Sequence, residues 1–270
     1  MKQQVTTAKS KTLQIPPRSH AVLFYENEEE KSEWVLPFVR EGLDNGEAVI
    51  YVSDEGDIES IRREFENLGI DQAHKGLSIV DSEDWYLEHG RVNKERVVEK
   101  LMDATRQALK KGYKGLRVTG ELSAPFKNKV EQLIDYESSL PRRFQLPLTA
   151  ICRYKVSDIV SYDEGRHLPD LLRTHHFVIT PKLQRVLNFD TYYLELINET
   201  LDNIFGDATR QTLLYHLEER YGLSRSKIPM STSEFRRALE SLLGEGGTMI
   251  EETILKKLYD EIGLRYDSRR

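Results

Sequence analysis

Short apolar runs and helix-period stretches alternate along the first 180 residues of the chain. Each apolar run is followed by a stretch whose apolar positions recur at the three-to-four-residue spacing of a helix face. This alternation predicts a parallel β-sheet covered by helices on both faces, which is an α/β fold. The predicted strands are 21–25, 48–52, 77–80, 116–119, 148–154 and 177–180.

From about residue 188 the strand pattern disappears and four helical segments follow, ended near Gly206, Gly222, Gly244 and Gly263. We therefore expect three parts: a flexible segment over 1–18, an α/β domain over 19–183 and an all-helical domain over 190–267. A helical module this small buries little surface by itself, so we expect it to pack on a partner or on the first domain.

The stretch 20–54 is the unit around which we expect the α/β domain to be built. A first strand is followed by a helix with apolar positions at 34, 35, 38, 39 and 43, and then by a second strand. Asn45-Gly46 suits a helix end, because both residues tolerate the left-handed conformation. The short return predicts that the two strands are parallel neighbours joined by a right-handed crossover.

The sequence of the turn between the first strand and the first helix argues against a phosphate-binding site. A phosphate-binding turn needs glycines, so that backbone amides can close on the phosphates. Here the turn reads ENEEE at 26–30, with four carboxylates and no glycine. Because these charges repel a triphosphate, a residual ATPase is kept only as an alternative.

Composition indicates a cytoplasmic protein. The 39% apolar content is enough to form hydrophobic cores, and no apolar run is long enough to cross a bilayer. No charged-then-apolar leader opens the chain. The single Cys152 excludes an internal disulfide framework. A net charge of −6 gives no general attraction to nucleic acid.

Polar side chains follow the predicted strands at the edge where parallel sheets bind ligands. We expect a small polar molecule to bind there between carboxylates and an arginine, with Trp85 and Tyr86 as a lid. The polar residues sent to this edge are Tyr25, Glu26, Ser53, Asp54, Asp81, Glu121, Arg153 and Tyr154, with Arg117 just upstream.

Histidines and the cysteine are the other candidates for chemistry. His20 opens the first strand, and His175-His176 precede the last. A histidine cluster can bind a metal, but no carboxylate lies at a short, ligand-like spacing in the sequence. We interpret these histidines as polar edge residues, and we predict neither a metal nor a cofactor. Cys152 lies inside an apolar strand and reads as a buried, inert thiol. No Gly-x-Ser-x-Gly elbow indicates a hydrolase.

The helical module has two interpretations. Arg236 and Arg237, with Arg225 and Lys227 in the preceding loop, have the charge to contact phosphates as part of a helix-turn-helix reader. The surrounding helices are acidic, however, which favours a partner-binding or dimerising bundle over a DNA reader.

The chain resembles a known family. The segments HAVLFY at 20–25, PFV at 37–39, GL at 42–43 and GE at 46–47 look like the MEDS domain, a sensory domain of methanogens and methylotrophs. The segments RVTGE at 117–121 and CRY at 152–154, and His175 before the last strand, match its layout. The resemblance implies a RecA/KaiC-like fold that lost its nucleotide loop and senses small molecules. Residues 190–266 are similar to a Nitrosopumilus-type output domain of archaeal signalling proteins.

Together these patterns lead to the hypothesis of a non-enzymatic, one-component signalling protein that senses a small molecule and reports through its helices to a second copy or a signalling partner. The alternatives are a ligand-controlled DNA-binding regulator and a residual ATPase. We expect Glu121→Ala to lower ligand affinity while the fold stays intact. The ligand residues on which this hypothesis depends are Tyr25, Glu26, Arg117, Glu121 and Tyr154, followed by His20 and His175.

Overall fold

The computed structural model describes residues 15–53, 58–67, 69–70, 74–122, 126, 130–158, 168–182, 184–264 and 266. The strands are β1 (His20–Tyr25), β2 (Ala48–Ser53), β3 (Leu77–Asp81), β4 (Leu87–Glu88), β5 (Arg91–Val92), β6 (Leu116–Glu121), β7 (Leu148–Lys155), β8 (Phe177–Thr180) and β9 (Arg185–Asn188). The helices of the α/β part are α1 (Glu28–Asp44), α2 (Ile58–Asn67), α3 (Ser82–Tyr86), α4 (Lys94–Lys110), α5 (Val130–Ser139) and α6 (Leu168–Arg173). The C-terminal helices are α7 (Phe189–Phe205), α8 (Asp207–Tyr221), α9 (Thr232–Leu243) and α10 (Glu245–Ile262), with a 3₁₀ turn at Ile228–Met230.

The main sheet has seven strands in the order β3-β2-β6-β7-β1-β8-β9. Neighbouring strands are parallel, except that β9 runs antiparallel to β8. All six predicted strands are present, and helices follow the sheet into the C-terminal part. The predicted fold class, a largely parallel α/β sheet followed by a helical bundle, is confirmed.

The predicted pairing of the first two strands is wrong. β1 pairs with β7 and β8, whereas β2 pairs with β3 and β6, so two strands separate β1 from β2. All six residues of β1 are buried, which requires strands on both of its edges and helices on both faces. Adjacency in sequence only favours pairing, and helix α1 carries the chain across the two intervening strands.

Alternate residues of each strand reach opposite faces of the sheet, and each face has its own core. One face, here called face A, packs Ala21 and Leu23 of β1 against α1 and α2. The other, face B, packs Val22 and Phe24 against α4, α5 and α6. The face B core continues without interruption into the C-terminal helices, where Phe189 and Tyr193 of α7 belong to the same cluster.

Helix α1 begins and ends with local signals that are readable in the sequence. The Asn27 side chain accepts the backbone N–H of Glu30, which caps the first turn. At the other end Gly46 has a φ of 76°, a conformation that glycine adopts without a steric penalty. Between them the helix buries Trp34 and Phe38 on face A, as the apolar spacing predicts.

Three elements were not predicted. The segment after β3 contains α3, capped by the Asp81 side chain, and the β4–β5 hairpin, where we expected irregular chain. Strand β9 closes the sheet beside β8. The predicted rim residue Asp54 lies outside the described residues. None of the described helices is long and apolar enough to span a bilayer.

Arg142 joins the α/β part to the C-terminal helices. Its Nε donates to the carbonyl oxygen of His175 at 2.9 Å, and its guanidinium forms an ion pair with Asp190 of α7, with Nη2 and Oδ1 2.8 Å apart. The Phe189 backbone N–H also donates to the carbonyl oxygen of His176. The division into domains 19–183 and 190–267 stays a prediction, but these contacts couple the two parts physically.

We expect Arg142→Ala to lower the free energy of unfolding by about 1–3 kcal/mol, because the Asp190 carboxylate and the His175 carbonyl lose their donor. Chemical denaturation of the full-length protein measures this change. Arg143→Ala is the matched control, since Arg143 is the exposed neighbour in sequence. Equal stability of the two variants would contradict a role for Arg142 in this coupling.

Candidate functional site

A buried polar network lies on face A where β1, β6 and β7 end. The Tyr25 hydroxyl donates to Glu121 Oε2 at 2.9 Å, and Arg153 Nη1 donates to the Tyr51 hydroxyl at 2.6 Å. Arg153 Nη2 donates to the carbonyl oxygen of Val52. No side chain of the Tyr25–Tyr51–Glu121–Arg153 set is more than 4% exposed, and we call this set the strand-end network.

Charge in the strand-end network is balanced within it. Burial raises the pKa of Tyr25, and the adjacent Glu121 carboxylate raises it further, so the phenol stays a neutral donor. Burial opposes the positive charge of Arg153, but Tyr51 and Glu121 outweigh burial and raise the pKa of the guanidinium. The pair is therefore a carboxylate facing a guanidinium inside the core.

The Nε–H group of Arg153 is a hydrogen-bond donor that the network does not use. Its Nε is buried and has no hydrogen-bond partner among the described residues, and it lies 3.9 Å from Glu121 Oε2. That separation is longer than a hydrogen bond. The network thus presents a donor that an oxygen atom of a bound molecule would satisfy.

The N-terminus of α1, beside this network, is already capped by side chains. Asn27 accepts the Glu30 N–H, and the Glu30 carboxylate accepts the Glu26 N–H at 2.7 Å. Lys31 is buried, forms an ion pair with Glu28, and lies over the Tyr25 ring at 5.7 Å. Two backbone amides of this turn, those of Glu26 and Glu30, therefore already donate to side-chain oxygens and are not free to bind phosphate.

Not all of the predicted rim residues meet in space. Tyr25 and Glu121 are in contact as expected, and Arg153 supplies the arginine. Arg117 lies at the opposite end of β6, where it donates to Glu47 at 2.6 Å and to Glu41 at 3.1 Å, so it is not part of this site. Glu26 follows β1 but its side chain is exposed.

The predicted aromatic lid is also different from our expectation. Tyr86 is 3% exposed and packs in the face B core against Phe126 and Tyr136, rather than over the rim. A Cβ atom on Gly120 would lie 2.1 Å from the Tyr86 hydroxyl, so only glycine lets this ring approach β6. Trp85 is half-buried beside Lys100.

A second polar cluster lies on face B and contains His20, Glu137, Cys152 and His175, with Tyr154 beside it. His20, Glu137 and His175 are completely buried, and Cys152 is 6% exposed. The two imidazole rings are 4.2 Å apart between centroids. The interpretation of these histidines as separate edge residues is therefore wrong. Tyr154 belongs here and not to the rim, because it follows Arg153 and points to the opposite face.

Glu137 is the member that sequence reasoning missed. It comes from α5, four residues after Leu133 and three before Leu140, both of which are buried. A carboxylate on the apolar stripe of a helix was the available signal. It is distant in sequence from both histidines, so a search for short ligand spacings does not find it.

Protonation in the face B cluster is set by burial and by mutual contact. Burial opposes ionisation of Glu137, but His175, His20 and the Tyr154 hydroxyl outweigh it and hold its pKa at about 2. Burial, and then the neighbouring His20, lowers the pKa of His175 to about 3, so its imidazole is neutral at pH 7. Burial and the Glu137 charge raise the pKa of the Cys152 thiol.

The candidate nucleic-acid residues lie on the surface of α9. Arg236 and Arg237 are both exposed. Arg236 faces Glu251 of α10, with Nε and Oε1 3.8 Å apart, and Arg237 donates to the carbonyl oxygen of Ser233. The first arginine is therefore directed toward an acidic neighbour within the bundle.

Fold and clusters together describe an α/β protein with buried polar sites and a capped, glycine-free first turn. A family model described as MEDS, MEthanogen/methylotroph, DcmR Sensory domain, matches residues 19–176, which is more than half of the chain. The chain belongs to the MEDS family, as its sequence motifs indicate.

Other comparisons add little to this assignment. No curated protein matches the chain at a significant level. Among solved structures, the chain is similar to the assembled ATPase EscN from the type III secretion system of enteropathogenic E. coli, at 14% identity and a TM-score of 0.36. The similarity covers 88% of this chain and 66% of the EscN chain. Likeness at this level assigns no activity.

The strand-end network revises the expected effect of Glu121→Ala on the fold. Glu121 is 2% exposed, and it is the acidic partner of the buried Arg153 among the described residues, so its removal takes that counter-charge away. We expect Glu121→Ala to lower the free energy of unfolding by about 3–5 kcal/mol. Glu47→Ala is the control, because Glu47 also faces an arginine but Arg117 keeps Glu41 as a second partner. Urea denaturation in which both variants lose equal stability would contradict this ranking.

Proposed function

We propose that this protein is a one-component signal-transduction protein whose α/β domain binds a small polar molecule at the strand-end network. The molecule contacts the Tyr25 hydroxyl, the Glu121 carboxylate and Arg153 Nε. Membership of a sensory-domain family supports the sensing role. The buried Arg153 Nε without a hydrogen-bond partner among the described residues carries the choice of site.

Position supports this choice as well. Parallel α/β sheets bind ligands beyond the carboxyl ends of their strands, and Tyr25 and Glu121 are the last residues of β1 and β6. A ligand with a carbonyl or hydroxyl oxygen accepts from Arg153 and donates to, or accepts from, the Tyr25–Glu121 pair. In the free protein the hydrogen bonds of the network stay within it, and in the complex some of them go to the ligand. The ligand therefore stabilises one of two states of the network.

A route from the site to the C-terminal helices supports the output role. β1 is bonded to β8 on its outer edge, and the residues that precede β8 are held to α7 by Arg142. A shift of β1 therefore moves the strand on which the helical part rests. Exposed apolar side chains on those helices, including Ile204, Tyr215 and Met249, support docking of a second copy or a signalling partner.

The two alternative functions are less well supported. The residual ATPase conflicts with the glycine-free turn before α1, where the Glu26 and Glu30 N–H groups donate to side-chain oxygens. The DNA-binding regulator conflicts with the acidic surroundings of Arg236, which faces Glu251. We therefore propose a protein that binds its ligand without turnover.

Native mass spectrometry of the full-length protein, exposed to a pool of small polar metabolites, tests this proposal. We expect an adduct of organic mass that disappears on denaturation. Tyr25→Phe should weaken its retention by about ten-fold or more, because one hydrogen bond to a charged group is lost. Phenylalanine preserves the shape of the ring, so the fold should remain.

Tyr192→Phe is the matched control. It removes a similar tyrosine–carboxylate bond, from Tyr192 to Glu261, but in the C-terminal helices. If both variants lose the adduct equally, the loss reflects lower protein stability and not a lost contact with the ligand. A spectrum without any organic adduct would overturn the proposed ligand site.

A further inference from the structure

Four elements bring potential metal ligands to one point on face B. His20 comes from the start of β1, Glu137 from α5, Cys152 from the middle of β7, and His175 from the residue pair before β8. One donor atom from each residue lies within 4.8 Å of the donor atoms of the other three. These side chains are 0–6% exposed, so a bound ion would have no contact with bulk water.

Four of the six distances between the donor atoms are close to those around a tetrahedral ion. His20 Nε2 is 3.2 Å from both Cys152 Sγ and Glu137 Oε2. Glu137 Oε2 is 3.6 Å from His175 Nε2 and 3.7 Å from Cys152 Sγ. A tetrahedral ion with bonds of about 2.0–2.3 Å sets its donors about 3.3–3.8 Å apart.

Hydrogen bonding leaves His175 with a lone pair directed at a carboxylate. Its Nδ1 lies 2.8 Å from the carbonyl oxygen of Leu171, which only accepts, so Nδ1 carries the proton. In the neutral ring Nε2 is then an acceptor, and it faces Glu137 Oε2, also an acceptor. His175 Nε2 has no hydrogen-bond partner among the described residues. A cation between the two atoms removes this conflict.

Outer contacts orient two of the four ligands, His175 and Glu137, as they do in known metal sites. A metal-bound histidine usually donates its other N–H to a carbonyl or carboxylate, as His175 does to Leu171. The Tyr154 hydroxyl donates to Glu137 Oε1, which holds the carboxylate and leaves Oε2 for the cluster.

Charge gives an independent argument. A carboxylate and a thiolate that are buried together are costly unless an opposite charge compensates them. A divalent ion with one carboxylate, one thiolate and two neutral imidazoles has a net charge of zero. On binding, the Cys152 S–H bond breaks, sulfur keeps the electron pair, and the proton leaves to solvent as the metal–sulfur bond forms.

The donor set also selects the metal. Two imidazoles, a thiolate and a carboxylate suit Zn²⁺ or Co²⁺, whereas Mg²⁺ and Ca²⁺ prefer oxygen ligands alone. Four protein ligands without solvent access correspond to a closed, structural type of site. We propose that His20, Glu137, Cys152 and His175 bind one divalent transition metal ion of the zinc class, which ties β1, β7 and the start of β8 to α5.

Elemental analysis of the full-length protein, purified without a histidine tag or chelator, tests this directly. We expect about one zinc per chain, consistent with a single four-ligand site. Stripped protein reloaded with Co²⁺ should show the intense visible bands of tetrahedral cobalt and a sulfur-to-cobalt charge-transfer band. Cys152→Ser should abolish the charge-transfer band and weaken the affinity for Zn²⁺ by at least about ten-fold.

His176→Gln is the matched control, because His176 is adjacent in sequence to a ligand but lies outside the cluster. It should retain the metal and the cobalt spectrum. If Cys152→Ser fails to fold, the wild-type protein still decides: Zn²⁺ should raise the melting temperature of the stripped chain, and Mg²⁺ should not. Protein that neither retains zinc nor responds to it would overturn the site, and a charge-transfer band that persists in Cys152→Ser would remove the sulfur ligand.

The metal site does not depend on the proposed ligand site. Elemental content and cobalt spectra test the metal site on face B, whereas an organic adduct tests the ligand site on face A. Either result can fail while the other stands.

Discussion

Complete burial of strand β1 is the constraint on which the rest of the structure depends. Strands lie on both of its edges and helices on both of its faces, so every polar side chain that it carries must find a partner inside the protein. His20 reaches one face and Tyr25 the other. The strand-end network and the face B cluster form around these two side chains, at opposite ends of one six-residue strand.

The two clusters differ in how their charge is balanced. On face A, a carboxylate and a guanidinium lie together with two phenols, and each charge has its opposite nearby. On face B, Glu137 has two histidines, a thiol and a phenol around it, and burial keeps His175 neutral. Desolvation of a carboxylate costs several kcal/mol when no opposite charge compensates it. The metal ion proposed for face B would supply such an opposite charge, whereas on face A the Arg153 guanidinium already faces the Glu121 carboxylate.

Sequence patterns located the strands because short apolar runs between helical stretches have few other interpretations. They could not order the strands, since pairing depends on which edges are buried and not on the runs themselves. Strand β9, with its sequence RVLN, is too short and polar to be noticed without its partner β8. Arg153 and Tyr154 could have been assigned to different faces from the two-residue period alone. Glu137 could have been noticed as a carboxylate on an apolar helix stripe, but its contact with His20 could not be predicted, because it joins positions 117 residues apart, at 20 and 137.

The antiparallel strand β9 has a practical consequence for anyone who divides this chain. The family match ends at residue 176, immediately before β8, yet β8 supplies the hydrogen bonds on one side of β1. A fragment cut at that boundary would open one edge of β1, whose six residues are all buried, and exposed edges recruit strands from other molecules. A fragment that retains β8 but lacks β9 leaves one edge of β8 unpaired, with the same risk of recruiting other strands. The main sheet of this fold therefore extends through Asn188, beyond the family match that ends at residue 176.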